Sequence, residues 1–254
     1  AANGAILITT KKGKEGRVEI SFSSAADFSS PLLMPEFQNK YGNKLGSYES
    51  WGEKLATPSS YDPKKDFFRT GTNFINALTV NTGNEFNQTF ASVAATNSRG
   101  IVPNNTYDRY NFTIRNTSSM FKNRVQLDLG ASYIKQKDNN MVSQGEYWNP
   151  IVAAYLFPRG ESFDAIKTFE RYDNVRNFPT QYWPIMDSRF ANQNPYCTAY
   201  RNLAPDDKDR LMFNAGLTYN IFDWLSVAGR IRLDKTFMTS ERKIYASSLD
   251  YFAK

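Results

Sequence analysis

Apolar and polar residues alternate along seven stretches of the chain. In one of the clearest, Val125, Leu127 and Leu129 are apolar and the intervening Gln126 and Asp128 are polar. A period of two residues is typical of a β-strand with one apolar and one polar face. The sequence therefore predicts strands at residues 18–25, 74–81, 86–96, 109–118, 124–135, 210–220 and 224–235. Within 86–96 the pattern leaves open which face is apolar.

The connections between these strands alternate in length. Residues 82–85, 120–123 and 221–223 form short connections, whereas residues 27–73, 97–108 and 138–209 form long ones. Outer-membrane β-barrels have this organisation, with short periplasmic turns and long outer loops. The predicted fold class is therefore all-β, a transmembrane antiparallel β-barrel whose strands pair in chain order. Because bacterial single-chain barrels have an even number of strands, the seven stretches predict only part of a barrel.

A soluble antiparallel sandwich is the alternative interpretation, because its strands also alternate apolar and polar positions. It accounts for neither the alternating connection lengths nor the charges inside the long strands. A water-filled lumen accommodates such charges, so we expect Asp128, Arg230 and Arg232 to face a lumen. The apolar positions of the same strands should face lipid, namely Leu127, Leu129, Leu217, Val227 and Ile231.

Composition excludes several kinds of chemistry. The 254-residue chain has no histidine and one cysteine, which rules out Ser-His-Asp and Cys-His catalysis, histidine-based metal sites and an intrachain disulfide. The net charge of +6 comes from scattered Lys and Arg, so we expect no nucleic-acid binding. Residues 206–209 lack the ligand order of a calcium loop, and no carboxylate pair suggests glycoside hydrolysis. We expect no enzyme activity, no cofactor and no metal site.

Two of the long connections contain candidate binding residues. Trp148, Arg159, Tyr182 and Trp183 lie in the longest connection, and Trp51 lies in the first. Exposed aromatic side chains stack on sugar rings or dock a partner protein. The alternative is that these side chains pack a long loop against itself, since a loop of this length needs buried contacts to be ordered. The sequence leaves both roles open.

Residues 1–13 read AANGAILITTKKG and resemble the segment that closes the plug domain of SusC/RagA-type TonB-linked outer-membrane transporters. Further segments resemble the same family in the same order. They are residues 35–42, 50–55, 66–71, 83–85, 100–104, 194–196, 201–203, 209–210, 223–226 and 229–231. No single segment is specific, but the ordered set covers nearly the whole chain.

The resemblance implies a barrel of 22 strands around a plug. In that scheme residues 1–16 end the plug, with a plug strand at residues 6–10, and residues 17–254 supply the first barrel strands and outer loops. The implied function is TonB-dependent import of oligosaccharides across the outer membrane of a Gram-negative bacterium. Peptides are the main alternative cargo. The implied partners are a SusD-like surface lipoprotein, the TonB complex and outer-membrane lipid.

Two other functions remain as alternatives to active import. One is a soluble β-sandwich that binds glycans through Trp51, Trp148 and Trp183. The other is a passive porin, which the plug-like segment before the first strand disfavours. Dependence on detergent separates a membrane protein from a soluble module, since a lipid-facing surface requires an apolar solvent.

Overall fold

The computed structural model of the protein describes residues 13–185 and 192–248. The strands are β1 (Gly16–Ser29), β2 (Gly71–Gly83), β3 (Asn87–Arg99), β4 (Thr106–Met120), β5 (Val125–Asn139), β6 (Glu170–Asp173), β7 (Phe178–Gln181), β8 (Pro205–Phe222) and β9 (Leu225–Ser240). The helices are α1 (Pro63–Asp66), α2 (Pro150–Leu156), α3 (Phe163–Lys167) and α4 (Pro195–Tyr200). The plug strand expected at residues 6–10 lies outside the described residues.

Seven of these strands form one antiparallel sheet in the order β1-β2-β3-β4-β5-β8-β9. The predicted strands and their pairing in chain order are therefore confirmed. The strands β6 and β7 form a separate ribbon. This ribbon and the helices lie inside the long connections and were not predicted, because elements of four to seven residues are too short to show a period.

The short connections are tight turns at one end of the sheet. Between β2 and β3, the Asn84 Oδ1 atom accepts hydrogen bonds from the amides of Phe86 (2.9 Å) and Asn87 (2.8 Å). Between β4 and β5, residues 121–123 all have positive φ, which closes the hairpin within a few residues. Because neighbouring strands are antiparallel, all the long connections meet at the opposite end of the sheet.

The strand register gives the sheet two faces of opposite character. One face aligns Leu129 of β5 with Ala215 of β8 and Ile231 of β9. It is apolar across all seven strands, and many of its side chains are exposed: Val18, Ile20, Phe22, Phe74, Leu78, Val93, Phe112, Ile114, Leu211, Phe213, Leu217, Val227, Ile231 and Leu233. An uncovered apolar surface of this extent marks contact with lipid or protein.

The other face of the sheet is polar. It aligns Asp128 with Gly216 and Arg230, and the next row aligns Gly130 with Asn214 and Arg232. The alternation deduced from the sequence therefore places Asp128, Arg230 and Arg232 on the face opposite Leu127, Leu129, Leu217, Val227 and Ile231. We refer to these two surfaces as the apolar face and the polar face.

The most deeply buried residues lie in the long connections rather than in the sheet. Seven of them form one cluster, here called the loop core: Phe67, Phe68, Val102, Ala154, Phe157, Phe163 and Ile166. They come from all three long connections, so these connections pack against one another. Within the described ranges, no helix is both long enough and apolar enough to span a membrane.

Candidate functional site

Ring contacts join the long connections at the loop core. The Tyr61 ring from the β1–β2 connection stacks on Phe163 at a centroid distance of 4.0 Å. Its hydroxyl donates a hydrogen bond to the carbonyl of Ala154 over 2.7 Å. Burial raises the pKa of the Tyr61 hydroxyl, because ionising it there would leave a charge with little solvation. Tyr61 therefore acts as a neutral packing residue between the first and the longest connection.

Asn194 organises the longest connection and was not identified from the sequence. Its Oδ1 atom accepts a hydrogen bond from the amide of Tyr196 at the start of α4, over 2.9 Å. Its Nδ2 atom donates to the carbonyls of Ile166 (2.8 Å) and Tyr182 (2.9 Å). The side chain is fully buried. An Asn-Pro pair at the start of a helix is the sequence signal that could have identified this cap.

Arg159 is buried among aromatic rings, with only 7% of its surface exposed. Its guanidinium carbon lies 4.9 Å from the Tyr61 ring centroid and 5.6 Å from that of Phe37. Its Nη1 atom donates to the carbonyl of Phe157 over 2.9 Å. Burial lowers the pKa of the guanidinium. These contacts link the first connection to the longest one.

Trp183 and Tyr182 are half-buried beside the loop core. The Trp183 Nε1 atom donates to the Tyr48 hydroxyl over 3.1 Å, and its ring lies 5.7 Å from that of Phe157. The guanidinium carbon of Arg171 lies 3.2 Å from the Tyr182 ring centroid. Both aromatic side chains therefore have packing partners within the connections.

Trp51 has a different environment from the other candidates. It is 73% exposed, and its indole ring lies 5.5 Å from the Tyr41 ring at a tilt of 44°. The backbone beneath this pair is held by hydrogen bonds from Gly42 to Glu53 and from Gly52 to Gly42, each 2.9 Å long. Trp51 thus presents a large aromatic surface to solvent from an ordered loop.

Trp148 lines a cavity at the outer ends of β5, β8 and β9. The cavity has a volume of about 270 Å³, and its lining includes Val102, Arg242 and Ile244. It therefore brings together the β3–β4 connection, the longest connection and the segment after β9. Trp51 does not line this cavity, so the structure places the predicted candidates in separate environments.

On the polar face, the charged residues predicted from the sequence lie in adjacent rows. Asp128 forms a salt bridge with Arg115 of β4, and their side chains are 29% and 15% exposed. Arg230 and Arg232 lie on β9, which is exposed along its whole length. The polar face thus carries both signs of charge, on the interior strands β4 and β5 and on β9 at the edge of the sheet.

No protein-family model matches the chain. The TonB-dependent receptor SusC of Bacteroides thetaiotaomicron is 26% identical over 204 residues, which cover 77% of this chain and 19% of SusC. A chain in the structure of the RagAB peptide importer in the 'closed-closed' state matches 98% of this chain with a TM-score of 0.68 and 16% identity.

The chain is a homologue of SusC. It spans about a fifth of the SusC length (19%) and about a third of the RagAB chain (31%). The match to RagAB extends over the sheet and its long connections, so the sheet has the fold of a TonB-dependent barrel. The resemblance to SusC/RagA-type transporters and the predicted fold class are confirmed.

Proposed function

We propose that the protein takes part in TonB-dependent import across the outer membrane of a Gram-negative bacterium. The observation that carries this proposal is the two-faced sheet, with an exposed apolar face, a charged polar face and all long connections packed at one end. In this arrangement the apolar face contacts lipid and the polar face lines the lumen. Asp128, Arg230 and Arg232 then face the passage, and residues 1–16 belong to the plug that closes it.

The partners of this importer would act at opposite ends of the sheet. A SusD-like surface lipoprotein would cover the outer ends, where Trp51 is exposed and Trp148 lines a cavity. The TonB complex would supply energy from the periplasmic side. Because the chain spans only part of its relatives, both partnerships are proposed for the full protein.

The proposed cargo is an oligosaccharide, taken up without a chemical step by the protein. A peptide is the second candidate, favoured by the likeness to a chain of a peptide importer. Trp51, Trp148, Arg159, Tyr182 and Trp183 are the candidate contacts to cargo or lipoprotein. Among them, the exposed Trp51 is most available to a binding partner, whereas Arg159 is buried in packing contacts.

Uptake by cells that produce the full-length protein tests this function. Labelled oligosaccharides and labelled oligopeptides are supplied separately, with and without a protonophore and with and without TonB. We expect accumulation of one cargo class to require both the proton gradient and TonB. Accumulation that persists without either would identify a passive pore, and a protein that is stable and monomeric without detergent would identify a soluble module instead.

A further inference from the structure

Among the described paired positions of the sheet, the apolar face carries charge only at its outer end. In the register, Asp108 of β4, Lys137 of β5 and Asp207 of β8 share one row. Lys135 and Asp209 share the next row inward. We call the charged residues at this end of the apolar face the outer rim, and they are Arg99, Asp108, Lys135, Lys137, Asp207, Asp209 and Lys235.

Two exposed tyrosines of the apolar face direct their hydroxyls towards the outer end of the sheet. The Tyr133 hydroxyl donates a hydrogen bond to Asp209, which lies one row further out. The Tyr110 hydroxyl accepts one from Asn97 Nδ2 over 3.1 Å, and Asn97 also lies one row further out. Tyrosines at a membrane interface place their rings beside lipid and their hydroxyls in the polar layer. On a lipid-facing surface, these two rings therefore lie where the hydrocarbon layer ends.

Lys235 extends in the same direction. Its backbone lies in the row of Leu211, but its Nζ atom lies 4.7 Å from the ring centroid of Phe237, two residues further out on β9. Long basic side chains at a lipid surface lay their stems along apolar groups and hold the charge in the polar layer. The exposed Lys235 side chain has this arrangement and directs its ammonium group towards the headgroup layer.

The lysines of β5 differ in how firmly the rim holds them. The Lys135 ammonium lies between Asp207 and Asp209, 2.8 Å from Asp209 Oδ2. The Lys137 Nζ atom lies 3.6 Å from Asp207 Oδ2, which is longer than a hydrogen bond, and its side chain is 64% exposed. Because an ammonium group has three donors, Lys137 can bind an external anion as well.

The position and charge of the outer rim indicate the chemistry of a partner. Arg99 and the three lysines of the rim outnumber its three aspartates. The rim is continuous with the apolar face and lies at the end of the sheet that carries the long connections, which are on the outer side of such barrels. A molecule that fits both surfaces combines acyl chains with an anionic headgroup, and phosphate oxygens form strong hydrogen bonds with ammonium groups.

We propose that the outer rim binds a phosphorylated glycolipid of the outer leaflet. Its acyl chains lie along the apolar face, and a headgroup phosphate accepts hydrogen bonds from the Lys137 ammonium. Lys235 adds a second positive charge to the same headgroup layer. The inference rests on the membrane orientation in the proposed function, and it gives the outside of the barrel a ligand separate from the cargo.

Native mass spectrometry of the detergent-purified full-length protein tests the proposal. The probes are bisphosphorylated lipid A, the same lipid A after removal of its phosphates, phosphatidylglycerol and inorganic phosphate. We expect lipid A to bind and its dephosphorylated form to bind at least about tenfold more weakly, because the contacts to the ammonium groups are lost. Inorganic phosphate at the lipid concentration should not displace lipid A. Equal binding of the two forms of lipid A, or equally tight binding of phosphatidylglycerol, would overturn the proposal.

Neutral substitutions locate the lipid on the protein. Lys137→Gln should weaken lipid A binding about fivefold, and Lys137→Gln combined with Lys235→Gln about 25-fold, since each removes one cation from an anionic lipid surface. The matched control is Lys208→Gln, which removes the same charge from the polar face, where Lys208 lies between Gln136 and Met238. Lys208→Gln should bind lipid A normally. An equal loss in the control would contradict the assignment to the outer rim.

The uptake assay separates failure of the outer rim from failure of the import function. Lipid binding is measured in detergent, without a proton gradient and without TonB. If lipid A binds through Lys137 and Lys235 but no energised uptake occurs, the rim assignment holds and the import function fails. If uptake is energised but lipid A binds no better than its dephosphorylated form, import holds and the rim assignment fails.

Discussion

Arg115 on β4 and Asp128 on β5 form a salt bridge between neighbouring strands of the polar face, with the Arg115 Nε atom 2.8 Å from Asp128 Oδ1. The residue directly opposite Arg115 in the register is Gly130. The guanidinium therefore reaches the Asp128 carboxylate diagonally, two residues along β5, while the side chain closest to Gly130 is that of Asn214 on β8. The pair thereby connects two strands through their side chains as well as their backbones.

Removing one partner of this pair should destabilise the sheet. Asp128→Leu leaves Arg115 partly buried without its carboxylate, at a cost of about 1–3 kcal/mol in the free energy of unfolding. Urea unfolding of the full-length protein in lipid vesicles measures this. The matched control is Asp234→Leu, which removes the partner of Arg210 where both side chains are 38–39% exposed. The control should lose less stability, and equal losses would contradict the role assigned to Arg115–Asp128.

Leu129→Arg tests the direction of the apolar face. If this face contacts lipid near the midplane, the substitution should cost ~2–4 kcal/mol in the free energy of folding into the bilayer. The same vesicle unfolding experiment gives the value. Gln126→Arg on the polar face of the same strand is the control and should fold nearly as the parent does. A tolerated Leu129→Arg with a disruptive Gln126→Arg would reverse the assignment of the faces.

Gly130 and Gly216 offer a matched pair of substitutions on the polar face. A Cβ atom on Gly130 would lie 2.4 Å from Asn214 Oδ1, whereas a Cβ on Gly216 would find its nearest neighbour 3.6 Å away. We expect Gly130→Ala to cost about 1–2 kcal/mol in unfolding free energy through crowding and Gly216→Ala to cost little. Asn214→Ala should rescue Gly130→Ala, and failure of this rescue would show that another contact causes the loss.

Replacing Trp183 should lower the stability of the long connections far more than replacing Trp51. Trp183→Ala removes a half-buried ring beside the loop core and should destabilise the loops by about 2–4 kcal/mol. Trp51→Ala removes a 73% exposed side chain and should leave loop stability within about 0.5 kcal/mol of the parent. Amide hydrogen exchange in the long connections measures both effects. Strong loss of protection in Trp51→Ala would indicate that Trp51 has a packing role.

Cys197 should be unreactive in the folded protein. Burial raises its pKa to about 12, so the thiolate that reacts with alkylating reagents is scarce at neutral pH. The thiol is also fully buried in α4, out of reach of reagent. Iodoacetamide should modify the native protein slowly at pH 8 and rapidly after unfolding in urea. Equal rates in the two states would contradict the buried position.

The sequence predicted the sheet well because a period of two persists over each long strand. Leu127, Leu129 and Ile231 could be assigned to one face from their spacing alone, and the register places them together. The register also depends on the tight turns, which the short connections between predicted strands indicated correctly. These are local signals, and they suffice for an antiparallel meander.

The loop core could not be predicted in the same way. Phe67 and Phe163 meet in one cluster although about a hundred residues separate them, and no periodic pattern links their positions. The Asn-Pro pairs at residues 149–150 and 194–195 were visible helix-start signals, but the helices that follow have only seven and six residues. The sequence identified Trp148, Arg159 and Trp183 as notable without indicating which of them lie in packed contacts.

The position of the loop core at one end of the sheet means that this molecule depends on two solvents. The connections bury their aromatic rings against each other, so water favours their folded state. The sheet instead leaves the apolar side chains of Ile20, Phe213 and Ile231 uncovered. Contact of this face with water is therefore unfavourable. A change of detergent should therefore act on the strands first, while the packed connections remain a folded body attached to their outer ends.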